Sequence, residues 1–220
     1  YYSRYDEPSG SELSGKNEYH KVYYHKVGTL QSEDRLVYEN PKQPQRNYYA
    51  DVTDDERFLI IYETESTTGN ALYFKDLEKR GAKFETIVEG FDNDYSVVDD
   101  HNGKLLVRTN REAPKYQLIE IDPGRKDKKF WKTILPEQEE VLESITLIGG
   151  KIVAEYMKDA YSQAFIYDMQ GKKLADLSLP GIGTLSGMNG EKDENIAFYG
   201  FTSFTFPTTI YKYNIETNTS

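Results

Sequence analysis

Strand-like segments recur every 44 to 50 residues in two registers, with turn residues just ahead of them, and this predicts an all-β fold of the β-propeller kind. The first register is an apolar-aromatic segment at residues 22–27, 72–77, 116–121, 164–169 and 210–215. The second is a shorter segment at 58–62, 105–108, 152–156 and 196–199. Upstream of the second register lie Asp54-Asp55-Glu56-Arg57, Asn102-Gly103, Gly149-Gly150 and Asn189-Gly190. Gly and Asn accept the positive φ of tight hairpins, so these four sites are expected to be turns. A unit of roughly 40–50 residues with several short strands is the size of one propeller blade.

Each element follows from its residues. Tyr1-Tyr2-Ser3-Arg4-Tyr5 reads as a second strand already under way, with 22–27 as the third and Arg35-Leu36-Val37-Tyr38 as the fourth. First strands are expected at 48–50, 95–98, 142–145 and 183–186, and further fourth strands at 84–88, 131–135 and 173–177. Their β-branched and aromatic content favours strand over helix. The only helical candidate, 137–147, is better read as a turn into a strand. The expected blades are therefore 1–46 (partial), 47–90, 91–136, 137–180 and 181–220 (partial), all within one propeller domain at 1–220. Three units are complete with four strands and one at each end is partial, so the expectation is a piece of a longer polypeptide. Unpaired faces at the two end units are expected to self-associate at high concentration.

Composition narrows the partners. The chain has 220 residues, 19 Tyr, 10 Phe, no Cys and a formal charge of −10. Tyr and Phe suit the interfaces between sheets, where Tyr also offers a hydroxyl to the wet rim. The acidic balance argues against nucleic acid, which needs clustered Lys and Arg. Without Cys there are no disulfides or thiolate metal sites. No apolar run approaches the length of a membrane span. The compartment stays open between cytoplasm and periplasm.

Residues with catalytic chemistry are sparse. No Gly-x-Ser-x-Gly is present; Leu13-Ser14-Gly15 and Leu185-Ser186-Gly187 lack the first Gly. His20 and His25 flank a strand and His101 falls at a hairpin turn, none beside a nucleophile in sequence. Asp92-Asn93-Asp94 imitates a calcium loop but has Val97 and Gly103 where Gly and Glu belong, and reads as an acidic connector. Asp99-Asp100-His101 reads as a polar turn. Asn218-Thr219-Ser220 matches the glycosylation triplet. The expectation is no catalytic residue, no metal and no cofactor in this chain.

Two segments carry more than periodicity. One is Tyr1-Tyr2-Ser3-Arg4-Tyr5-Asp6-Glu7-Pro8 with His20-Lys21-Val22-Tyr23-Tyr24-His25-Lys26-Val27-Gly28-Thr29 and Gln31-Ser32-Glu33-Asp34. The other is Phe201-Thr202-Ser203-Phe204-Thr205-Phe206-Pro207 leading into Ile210-Tyr211. With Thr109-Asn110-Arg111, Pro114 and Tyr116, they resemble, in order along the whole chain, the propeller domain of the prolyl oligopeptidase (prolyl endopeptidase) family of serine peptidases.

That resemblance implies a seven-bladed propeller beside an α/β-hydrolase domain of the same polypeptide. The hydrolase domain holds the Ser, Asp and His and cleaves short peptides after proline through an acyl-enzyme, without metal or cofactor. The propeller admits short peptides and rejects folded proteins. A narrow axial channel lined by inner strands makes such a filter physically reasonable. The chain alone is expected to be inactive. Tyr1 matches a family Phe that leans toward bound peptide, and its hydroxyl adds a polar group to that contact. Oligopeptidase B, which cleaves after basic residues, is the nearest rival; the insertion between Pro8 and Val22 and the Phe-Thr-Ser-Phe run fit the proline-specific branch better. A stand-alone binding scaffold is the alternative from a different class, since fold alone does not choose function.

Overall fold

The structure is a computed structural model that describes residues 1–7 and 15–220. Ser14, Pro8 and the first part of the 8–22 insertion lie outside the described residues. Among the described residues there are 18 strands in five antiparallel sheets of three or four strands. The first sheet orders β1 (Tyr2–Arg4), β2 (Lys21–Tyr24) and β3 (Arg35–Tyr38). The second holds β4 (Asn47–Val52), β5 (Phe58–Thr64), β6 (Ala71–Asp76) and β7 (Glu85–Val88). The third holds β8 (Tyr95–His101), β9 (Lys104–Thr109), β10 (Gln117–Ile121) and β11 (Lys132–Leu135). The fourth holds β12 (Val141–Ile148), β13 (Lys151–Lys158), β14 (Tyr161–Tyr167) and β15 (Lys173–Asp176). The fifth orders β16 (Thr184–Gly190), β17 (Ile196–Ser203) and β18 (Phe206–Asn214). Strands are joined to their sequence neighbours, the up-and-down order of a propeller blade.

The second strand of each sheet explains why its sequence is a continuous apolar run. Phe58, Leu59, Ile60 and Ile61 of β5 are all 1% exposed or less, so both faces of this strand are covered. Strands buried on both faces lose the apolar-polar alternation of half-buried ones. Fourth strands are covered less: β7 and β11 bury only their last two residues, and β15 keeps only Ala175 partly covered. Where a third strand meets a fourth, the register slips once in each four-stranded sheet and in the first sheet, at Val22/Tyr23, Leu72/Tyr73, Leu118/Ile119 and Ile166/Tyr167. An extra residue at such a bulge bends the outer strand and adds local twist.

The chain divides into two compact units, Tyr1–Asp100 and His101–Ser220. In the first unit, Val22, Tyr48 and Ile61 form a core with Tyr38, Tyr73 and Phe84 packed around it. Tyr38 touches Tyr48, Tyr73 and Phe84 at centroid distances of 5.2, 5.9 and 5.2 Å. In the second unit, Ile148, Val153 and Ile166 pack with Leu185, Tyr199, Phe201 and Tyr213. Aromatic rings thus fill the space between neighbouring sheets, with several hydroxyls reaching polar groups at the margins.

Two glycines record how closely backbones approach. A Cβ on Gly69 (φ +72°) would lie 1.8 Å from the Phe91 carbonyl oxygen, and its N–H donates to Asp94 Oδ1 at 2.8 Å. A Cβ on Gly171 (φ +85°) would lie 2.0 Å from the Ile134 oxygen.

Two sequence expectations are corrected. Asn189-Gly190 is not a turn: β16 continues through it, pairing Asn189 with Phe198 and Gly190 with Ala197, and the reversal comes at 191–195. Gly190 is required instead by packing, because a Cβ there would meet Ala197 Cβ at 2.9 Å. Asp99 and Asp100 are not a polar turn but buried residues of β8, each 4% exposed; Asp99 Oδ1 accepts the Asp54 N–H at 2.9 Å and so anchors the β4–β5 turn. Short 3-10 turns at Gln31–Glu33 and Lys128–Phe130 interrupt two connections that carried no helical signal.

Candidate functional site

Tyr1 stands at the start of β1, 45% exposed, with its ring 5.2 Å from that of Tyr24. Partial burial, then the neighbouring Tyr24, push its phenol above the usual value. It opens onto a cleft of about 560 Å³ lined by Tyr2, His25, Val27, Gln31 and Asp34. The cleft arises because β2 ends at Tyr24 and the chain then reverses through Gly28 (φ +89°), with the Thr29 N–H and hydroxyl both bonded to the Lys26 carbonyl. The 3-10 turn at Gln31–Glu33 brings Asp34 back beneath His25.

Asp34 is the hub, its side chain only 3% exposed. Tyr2 donates its hydroxyl to Asp34 Oδ2 at 2.6 Å, and His25 donates Nδ1–H to Oδ1 at 2.7 Å. Gln31 Nε2 donates to the Tyr2 oxygen at 3.4 Å. The Tyr2 hydrogen bond, then His25, hold the Asp34 carboxyl below its ordinary range, against an opposing effect of burial. Asp34 in turn raises the Tyr2 phenol. Both carboxylate oxygens are occupied, so the pair fixes the orientation of the imidazole beside the cleft. His25 lacks a nucleophile among these partners, so the arrangement orients groups and forms no acyl-transfer triad.

The other residues singled out in sequence fall into structural roles. His20 is 5% exposed; its Nδ1 accepts the Tyr48 N–H at 2.8 Å and burial pushes its pKa down. His101 ends β8 and its Nε2 lies 2.8 Å from Asn102 Nδ2. Asp94 caps Gly69 as described. Ser186 sits within β16, not on a sharp elbow. Asn218 engages both ends of its amide, accepting from the Tyr213 hydroxyl and donating to the Asp176 carbonyl. No group of three or more His, Asp or Glu among the described residues is arranged to hold a metal ion.

A buried carboxylate, Glu63, and a partly buried one, Glu155, carried no signal in the sequence. Glu63 of β5 is 2% exposed. It accepts from Arg46 Nη1 at 3.0 Å, the Tyr48 hydroxyl at 3.0 Å and the Tyr73 hydroxyl at 2.5 Å. Burial and then Glu63 raise both phenols well above their usual value, the hydrogen bond and charge ranking differently in the two. Glu155 of β13 accepts from Ser162 at 2.7 Å and Ser144 at 3.0 Å. Burial raises its pKa more than those hydroxyls lower it.

Comparison with known proteins bears on the whole chain. Residues 1–220 match the family model described as prolyl oligopeptidase, N-terminal beta-propeller domain. A prolyl endopeptidase of Elizabethkingia meningoseptica is 42% identical over 221 residues, covering 100% of this chain and 31% of the relative. Prolyl oligopeptidase A of Amanita bisporigera is 27% identical, covering 98% of this chain and 30% of its own length. A solved structure from a study of two prolyl endopeptidases superposes with a TM-score of 0.84 at 32% identity, covering 91% of this chain and 29% of that one. Prolyl oligopeptidase B from Galerina marginata, bound to a 35mer hydrolysis and macrocyclization substrate, superposes with a TM-score of 0.87 at 26% identity, covering 98% of this chain and 30% of that one. The chain spans less than a third of the length of these relatives. On the match of all 220 residues, together with the five successive antiparallel sheets, the chain belongs to the prolyl oligopeptidase N-terminal β-propeller family.

Proposed function

We propose that this chain is the substrate-admitting propeller of a serine peptidase that hydrolyses short peptides after proline, with Ser, Asp and His supplied by an α/β-hydrolase domain of the same polypeptide. The observation that carries the reading is the full-length match to the family, with a prolyl endopeptidase 42% identical across the chain. Its role is selection by size: sheets with covered faces form rigid walls, and a rigid entrance passes extended peptides while excluding folded ones. Tyr1 is the substrate contact. Its half-exposed ring offers an apolar face to a peptide, and the His25–Asp34–Tyr2 network fixes the floor beside it.

Two measurements test this. The isolated chain, incubated with a chromogenic Gly-Pro substrate, gives no turnover; turnover that survives repurification contradicts the reading. In the parent polypeptide, Tyr1→Ala raises KM several-fold with kcat less affected, whereas Tyr1→Phe stays near the parent value. An unchanged KM in Tyr1→Ala removes Tyr1 from the substrate path.

A further inference from the structure

We infer that the connection between β10 and β11, with the cleft beneath it, is a binding site for short acidic peptides. The connection, residues 122–131, contains Arg125, Lys126, Lys128 and Lys129 against Asp122 and Asp127, the latter paired with Lys129 at 3.0 Å, and Lys132 opens β11 beside it. The connection is therefore +2 in a chain of −10, which leaves −12 on the remainder. A reversal of sign this local focuses a positive potential on a small area.

The loop is built to hold that charge in place. Arg125 N–H bonds the Asp122 carbonyl at 2.9 Å, and the 3-10 turn Lys128–Phe130 follows. Trp131 donates Nε1–H to the Lys126 carbonyl at 2.9 Å, tying the end of the loop to its start. The Arg125 guanidinium lies 4.1 Å from the Phe130 ring centroid and Lys129 Nζ 5.0 Å from it. Cations seated over an aromatic ring lose less freedom when they meet an anion.

Next to the loop is a polar cleft of about 280 Å³, lined by Thr109, Arg111, Glu112, Gln117, Lys128 and Trp131 among others. Arg111 lies 5.7 Å over Trp131 and is bonded to the exposed Glu112 at 2.6 Å. A glutamate side chain entering the cleft replaces Glu112 at Arg111 and meets Lys128 at the rim. Cavity size and the acidic remainder together select the occupant. A short acidic segment fits within the loop, whereas a long polyanion such as nucleic acid runs onto a surface of its own sign.

Trp131 is the only tryptophan, so the site carries its own reporter. The 220-residue chain is titrated with N-acetyl-tetraglutamate amide, following indole emission and, in parallel, heat by calorimetry. Expected is saturable binding at roughly 10 mM salt that weakens strongly at about 150 mM, as the screening length shrinks from about 30 to about 8 Å. Lys128→Glu and Arg125→Glu, both at exposed positions, each weaken it about tenfold with unchanged melting temperature. Absence of saturable binding by both methods overturns the inference. So does equal binding of the tetralysine peptide, of inorganic phosphate alone, or tighter binding of a single-stranded oligonucleotide. The test reads binding to the chain directly and is independent of any peptidase activity.

Discussion

Glu63 in β5 is a buried carboxylate and Glu155 in β13 a partly buried one, both on the second strand of a four-stranded sheet, yet they are held in different ways. Glu63 faces a guanidinium and two phenols, while Glu155 faces two serine hydroxyls and, among the described residues, no cation. In the first case the partners compensate the charge directly. In the second, burial outweighs the two hydroxyls and raises the pKa of the carboxyl. The difference shows that a buried acid is stabilising or destabilising according to whether charge, not only hydrogen bonding, is returned to it.

The largest effect is expected when the cation is removed. Arg46→Met leaves Glu63 buried with hydroxyls alone and costs about 3 kcal/mol in urea unfolding. A loss below about 1 kcal/mol would mean that Glu63 does not need the guanidinium, and the contrast with Glu155 would collapse. Tyr73→Phe comes next, deleting the shorter phenol bond to Glu63 at a cost of about 2 kcal/mol. Equal stability to the parent would show that the Tyr48 and Arg46 bonds suffice.

A smaller change of opposite sign is expected at Glu155. Its folded pKa lies above the unfolded one, so between the two the folded state binds more protons and stability falls as pH rises. Glu155→Gln keeps an acceptor for Ser162 and removes the charge. The variant therefore melts higher than the parent at pH 7, and the gain disappears below about pH 4, where the unfolded carboxyl is also protonated. A lower melting point at pH 7 would contradict the assignment.

The smallest effect belongs to His20. Its folded pKa is lowered, so as pH drops below the unfolded value of about 6.5 the unfolded chain takes up a proton that the folded chain refuses. Stability due to this residue is intact above that pH and declines as pH falls toward the folded value. His20→Gln, which preserves an acceptor for the Tyr48 N–H, flattens the slope below about pH 6.5. An unaltered slope would place the titration elsewhere.

These polar clusters explain what was legible in the sequence. Strands were, because β-branched and aromatic runs such as 58–62 and 152–156 report a local preference reinforced by burial. The core of β5 and β13 lies where those runs predict. Polar pairings were not, because their members are separated along the chain: Glu63 meets residues 17, 15 and 10 positions away, and Glu155 meets residues 11 and 7 away. Gln31-Ser32-Glu33-Asp34 was recognisable as a motif, but nothing local announced that Asp34 turns back to His25. Asn189-Gly190 misled because the same residue types that permit a tight turn also permit close strand packing, and only the Ala197 contact distinguishes them. The cleft beside Tyr1 was not legible, since it depends on how β1 and the 25–34 connection meet.

Gly69 carries a mechanical consequence. With the Phe91 carbonyl where its side chain would be, the β5–β6 hairpin rests against the connector from β7 to β8 like a gear tooth in its slot. Sliding the hairpin inward drives atom into atom, and withdrawing it breaks the bond to Asp94. The first sheet has only three strands, with β1 at one edge and Tyr1 just before it, and so lacks a comparable lock at that edge among the close glycine contacts described above. Hydrogen exchange should accordingly be slow at the Gly69 amide and faster along β1.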